Sequence, residues 1–123
     1  MKTLFVTFIL ICTSYAQSLQ LLQTNPENYA TADTSLHQIS INFNAPVDTN
    51  NLKERIRLLS SYTTLINYNY AVEANDVFIY PRKQFKEGES INVIVTSNLQ
   101  GSAEETFDGF YWEFAPSGRL NFA

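Results

Sequence analysis

One cysteine, one histidine, four glycines and four prolines in 123 residues leave this chain short of the parts on which many small proteins depend. A lone Cys12 cannot close an intramolecular disulfide, and one His with one Cys is too few to hold a structural zinc. So little Gly and Pro excludes a collagen-like or low-complexity chain. Positive charge is also scarce: eight Lys and Arg stand against twelve Asp and Glu, a formal net charge of −4. That sign is wrong for a surface that displaces counterions from a phosphate backbone, so nucleic acid is excluded as a partner. No Asn-x-Ser/Thr acceptor occurs, and no apolar run reaches the roughly 18 residues that a membrane-spanning helix needs. What the chain does have is bulk. It is 45% hydrophobic and 14% aromatic, enough for one core-forming domain plus a short extra segment.

The extra segment is the N-terminus. Lys2 supplies a short positive start, residues 4–12 form an apolar stretch, and Ser14-Tyr15-Ala16 places small residues at −3 and −1 before Gln17. This is the pattern of a cleavable signal peptide over residues 1–16, and it predicts export to the periplasm or outer surface, with no membrane insertion after cleavage. Cys12 as a lipid-attachment site fits less well, because bulky Ile11 precedes it where lipoprotein signals resemble small-residue patterns. An exported domain without disulfides or glycosylation acceptors suits a bacterial secreted protein and must stand on its hydrophobic core alone.

Beyond residue 16 the main signal is alternation of period two, broken every eight to twelve residues by turn-forming residues. In residues 38–43 the apolar Ile39, Ile41 and Phe43 share one face, and Ser40 and Asn42 the other. Residues 18–23, 56–59, 65–72, 77–80, 90–96 and 109–114 add six further strands, rich in β-branched and aromatic side chains. Only residues 49–55 read as helical, with Asp48 or Thr49 as N-cap and Leu52 and Ile56 on one face. About seven short antiparallel strands in a hundred residues predict an all-β, two-layer sandwich.

Several motifs in order carry a more specific likeness. Thr24-Asn25-Pro26-Glu27-Asn28 resembles a Ser-Pro-x-Asn/Asp-Gly turn, and residues 39–48, ending Asn44-Ala45-Pro46-Val47-Asp48, resemble a central strand followed by Phe-Ser-x-Pro-Val/Met-Asp. Ile79-Tyr80-Pro81 with Phe85, Gly88 and Ile91 resembles a Pro, Leu-x-x-Gly-x-x-Tyr corner; Asn98-Leu99-Gln100-Gly101 and Tyr111-Trp112-Glu113-Phe114 resemble a last loop and a terminal Trp-x-Phe strand. Together they are similar to bacterial Ig-like domains of the S-layer (SbsA-type) family. The resemblance implies an immunoglobulin-like antiparallel β-sandwich over residues 17–116, Trp112 and Phe114 in its core, and a linker or tail at residues 117–123. It also implies a role beside other modules of a longer protein. Three positions depart from the pattern. Asn28 replaces the turn Gly, Ile91 replaces the corner Tyr so that packing alone must hold the corner, and Gln100 replaces an Asp, which weakens an inherited calcium site.

The candidate chemistry is thin. His37 has no second His, Cys or carboxylate motif beside it and reads as a surface or edge-strand residue. Glu87 with Glu89, and Glu104 with Glu105, are paired carboxylates, but in loops they are expected to be solvated rather than split into acid and base. Asp48 either caps the short helix or, with Asn50 and Asn51, coordinates a cation; one carboxylate is few for calcium. No catalytic, cofactor-binding or metal-binding residue is therefore assigned, and no enzyme is expected. The tyrosines remain. Tyr62, Tyr68, Tyr70 and Tyr80 are either cross-strand packing or an exposed ring platform. Two readings follow: a non-catalytic Ig-like module of a secreted or cell-surface bacterial protein, acting as spacer or adhesion unit with other modules, a cell-surface protein or a glycan as partner, or a small secreted carbohydrate-binding domain built on that platform.

Overall fold

The computed structural model describes residues 18–117. The expected signal peptide lies outside the described residues, as do residues 118–123. The chain forms β1 (Leu21–Asn25), β2 (Thr31–Asp33), β3 (Ile39–Phe43), a four-residue helix α1 (Leu52–Arg55), β4 (Ile56–Ser60), β5 (Leu65–Ile66), β6 (Tyr68–Glu73), β7 (Asp76–Pro81), β8 (Ile91–Val95) and β9 (Phe110–Ser117). One sheet has the order β1-β3-β7-β6 and the other β2-β9-β8-β4-β5. Every pairing is antiparallel except β2 with β9. This is the two-layer all-β sandwich that the alternation predicts.

The alternation also decides what lies between the layers. Ile39, Ile41 and Phe43 of β3, Val77 and Ile79 of β7, Ile91, Val93 and Val95 of β8, and Trp112 and Phe114 of β9 are all buried. Register explains the agreement: Ile39 faces Ile79, Ile41 faces Val77, Val93 faces Trp112 and Ile91 faces Phe114, so apolar partners stand directly opposite one another on each inner surface. Edge-to-face rings tighten the ends, with Phe43 against Phe107 at 5.9 Å and Phe85 against Phe114 at 6.0 Å. Trp112 is polar at one atom only, and its Nε1 donates to the carbonyl of Pro26 at 2.9 Å.

The structure differs from the sequence reading at identifiable places. The run at residues 65–72 is two strands, because the chain changes sheets at Asn67, where Asn67 Oδ1 accepts the Tyr68 amide and the Asn67 carbonyl accepts the Arg82 amide. The helix is shorter than residues 49–55: Ile56 already belongs to β4 and is buried in the core. Its N-cap is Asn51, in the left-handed region at φ 55, without a capping side-chain hydrogen bond. In the first turn the left-handed residue is Tyr29 (φ 62), not Asn28. Asn28 instead accepts the Glu113 amide at its Oδ1. β9 runs on to Ser117, held there by β2 alongside Ala115, Pro116 and Ser117.

The two ends of the described chain lie at opposite poles. Leu19 donates its amide to Thr106 at 2.7 Å, and Ser18 and Leu19 share a shallow depression with Gly109 and Phe110, the start of β9. The eight residues of β9 then carry the chain about 27 Å at strand rise to Ser117. No helix among the described residues is long and apolar enough to cross a membrane.

Candidate functional site

The structure separates the four tyrosines. Tyr68 is 2% exposed, its ring packed between the sheets and its hydroxyl donating to the Ile56 carbonyl at 2.6 Å, so it ties β6 to β4. Burial, and then the neighbouring Tyr70, raise its phenol well above the ordinary pKa. Tyr70 follows on the same inward side of an edge strand and is 37% exposed, its ring 6.5 Å from that of Tyr68. Tyr62 is 55% exposed in the β4–β5 loop and donates to the Glu87 carbonyl. Tyr80 stands half-buried on the outer side of β7, beside Asn69 of β6. One ring is core, one is edge, one is loop and one is outer face, so no common platform contains all four.

The paired carboxylates also part company. Glu87 and Glu104 are exposed, the latter at φ 69, while Glu105 Oε1 accepts the Ala103 amide. Glu89 is different. It is the one charged residue among the buried set, 1% exposed, against the expectation of a solvated loop. Its carboxylate receives Lys83 Nζ at 2.6 Å, the Lys86 amide at 2.8 Å and a hydrogen bond from Ser60 Oγ. Burial alone would raise its pKa, but the Lys83, Ser60 and Lys86 hydrogen bonds outweigh it and hold the carboxyl below its ordinary value. The corner that lacks a tyrosine at Ile91 is therefore fastened by a buried carboxylate two residues earlier, not by packing alone. The corner turns toward β8 through Gly88, at φ 86, where a Cβ would lie 2.7 Å from the Tyr62 hydroxyl.

Asp48 is engaged on both oxygens. Oδ1 accepts the Asn50 amide at 3.0 Å and Oδ2 lies 3.7 Å from Arg55 Nη1, so the residue organises the turn before α1 rather than capping it. His37 is exposed, its Nδ1 3.5 Å from the Ser35 carbonyl. Among the described residues no three His, Cys, Asp or Glu side chains are grouped to hold a metal ion.

One residue that the sequence reading did not single out stands beside Tyr80. Phe78 shares the outer side of β7, and its neighbours across the sheet are Ser40 on β3 and Ala71 on β6. The signal was present in Val77-Phe78-Ile79-Tyr80, where two aliphatic residues point inward and two aromatic ones outward.

Two sheets in these orders, a Trp-centred core and a fastened β7–β8 corner define an immunoglobulin-like sandwich. Residues 16–115 match the family described as bacterial Ig-like domain, and the chain belongs to that family. No curated protein matches the sequence. Among solved structures, the N-terminal part of the bacterial S-layer protein SbsC is similar at 17% identity and a TM-score of 0.60, covering 84% of this chain and 24% of that one. CopC from Methylosinus trichosporium OB3b is similar at 13% identity and a TM-score of 0.62, covering 85% of this chain and 99% of that one. The LD transpeptidase LdtMt1 is similar over 80% of this chain and 39% of its own, at 19% identity and a TM-score of 0.55. This chain thus spans about a quarter of the S-layer fragment it matches. At these identities the likenesses establish the fold and nothing about activity.

Proposed function

We propose that this chain is a non-catalytic Ig-like module of a bacterial cell-surface or secreted protein, serving as a spacer that holds its N-terminal pole away from the modules joined after residue 117, in the manner of the SbsA-type S-layer domains its motifs resemble. The observation that carries this is the placement of the chain ends. Residue 18 enters beside the start of β9 and residue 117 leaves at its far end, so a module joined after residue 117 is displaced along the strand axis from the N-terminal pole rather than folded back beside it. The core suits the task, because force applied along β9 is resisted by its ladder with β8 and by the Trp112 anchor at Pro26. The likeness to S-layer protein SbsC favours the same reading. A copper role like that of the copper-resistance protein PcoC is less favoured, since the whole chain has one His, one Met and one Cys, and the Met and Cys lie within the expected signal peptide.

The test is X-ray scattering from two copies of residues 17–117 joined head to tail. The maximum dimension should grow by about 30 Å or more over the single module, the length of β9 plus a turn. A pair no longer than a compact globule of twice the mass would overturn the spacer reading.

A further inference from the structure

We infer that the outer face of the four-stranded sheet is a binding surface for a neutral glycan. Register fixes what that face presents. Across β1, β3, β7 and β6 one row reads Gln23, Asn42, Asp76, Glu73; the next reads Asn25, Ser40, Phe78, Ala71; and beyond it Tyr80 stands beside Asn69. These positions point away from the core, because the residues between them on β3 and β7, Ile39, Ile41, Val77 and Ile79, are fully buried.

The chemistry of this surface is selective. Phe78 and Tyr80 lie two apart on one strand, about 7 Å along it, which makes a short aromatic track down the middle of the face. Shallow grooves of about 390 and 380 Å³ flank the track, one floored by β1 and β3 side chains, the other by β6, and Phe78 borders both. Carboxamides and a hydroxyl line the grooves, groups that can donate to and accept from sugar hydroxyls in either orientation. Asn42 is already steered, its Nδ2 donating to Asp76 Oδ1 at 2.6 Å. Aromatic rings offer apolar faces to the C–H side of a sugar ring, while the flanking amides meet its rim.

Charge selects the occupant further. None of these strand positions is a lysine or arginine; the cations among the described residues stand on α1, on β4 or in the loop after β7. Two carboxylates without a cation disfavour an anionic polymer and leave a hydroxyl-rich neutral one. A protein partner would favour the opposite face of the molecule, where Leu59, Ile94, Leu65 and Tyr111 form a more apolar surface. Tyr80 belongs to the glycan face, whereas Tyr62, Tyr68 and Tyr70 do not.

Affinity electrophoresis tests the inference, in gels containing soluble β-glucan, xylan or mannan, with carboxymethylcellulose as the anionic counterpart and pull-down on insoluble chitin and cellulose as a second arm. At least one neutral polysaccharide should retain the protein. Phe78→Ala and Tyr80→Ala should each weaken retention about tenfold, with melting temperatures showing that both variants still fold. Tyr111→Ala, on the other sheet, should change nothing. Absence of retention on every neutral probe, retention that survives the Phe78→Ala/Tyr80→Ala pair, or preference for carboxymethylcellulose would each overturn it. Glycan binding and in-line spacing are read by separate measurements, so either can fail alone.

Discussion

Glu89 shows how a single side chain can replace a missing one. A hydroxyl at position 91 would bond back to the backbone once; the carboxylate at position 89 gathers a cation, a hydroxyl and an amide, and fastens the β7–β8 corner to the end of β4. Such an arrangement is costly to break, since removing the charge of a buried carboxylate weakens three hydrogen bonds at once. Glu89→Gln should therefore lower unfolding free energy at pH 7 by about 2 kcal/mol. The pH dependence follows from the depressed pKa. Unfolded, Glu89 binds its proton near 4.5; folded, it binds only below that. Its contribution is complete above the unfolded value and is lost as pH falls through the folded one. Urea titrations of the native protein and of Glu89→Gln from pH 7 to pH 3 should show the gap narrowing below about pH 4.5. A gap that stays constant across that range would show that charge at Glu89 does not hold the corner.

Among the elements, β9 carries the most. It pairs with both β8 and β2, supplies Trp112 and Phe114 to the core, and spans the distance between the poles. Trp112→Ala should cost about 3–5 kcal/mol, from the cavity left and the orphaned Pro26 carbonyl. In a domain whose total stability is of the order of 5–10 kcal/mol, a denaturant midpoint should fall by about a third or more. A loss below about 1 kcal/mol would mean the ring does not anchor the sheets. Elements with this strong alternation were legible from sequence: residues 38–43 contain β3, and residues 90–96 and 109–114 place β8 and the start of β9. Short elements were not. β2 has only Thr31-Ala32-Asp33, no alternation to read, and exists because β9 lies alongside it. The switch at Asn67 and the burial of Tyr68 depend on contacts with Arg82 and Ile56, which no local pattern encodes. The burial of Glu89, named from sequence as one of a solvated pair, was hidden for the same reason, since its partner Ser60 is 29 residues away.

At the scale of the whole molecule, the sandwich must hold itself together by burial, and this sets its response to metal ions. Ligand supply is the argument. Tight copper sites draw on His, Met and Cys, of which residues 17–123 offer His37 alone, and tight calcium sites gather six to eight oxygens with several carboxylates. The best candidate turn has one carboxylate, Asp48, and its oxygens already face the Asn50 amide and the Arg55 guanidinium. A cation entering there would meet the charge of the Arg55 guanidinium and compete with the Asn50 amide. An ion that binds only the native state raises stability by RT ln(1 + [L]/Kd), about 2.7 kcal/mol at a hundredfold excess over Kd, which for a domain of this size is a shift of at least 5 °C in Tm. Melts of the purified protein in EDTA, in millimolar calcium and in equimolar copper(II) should instead agree within about 2 °C. A rise of about 5 °C in calcium that Asp48→Ala abolishes would make the molecule a calcium-stiffened stalk. The same rise in copper, abolished by His37→Ala, would move it toward the copper-resistance proteins whose fold it shares.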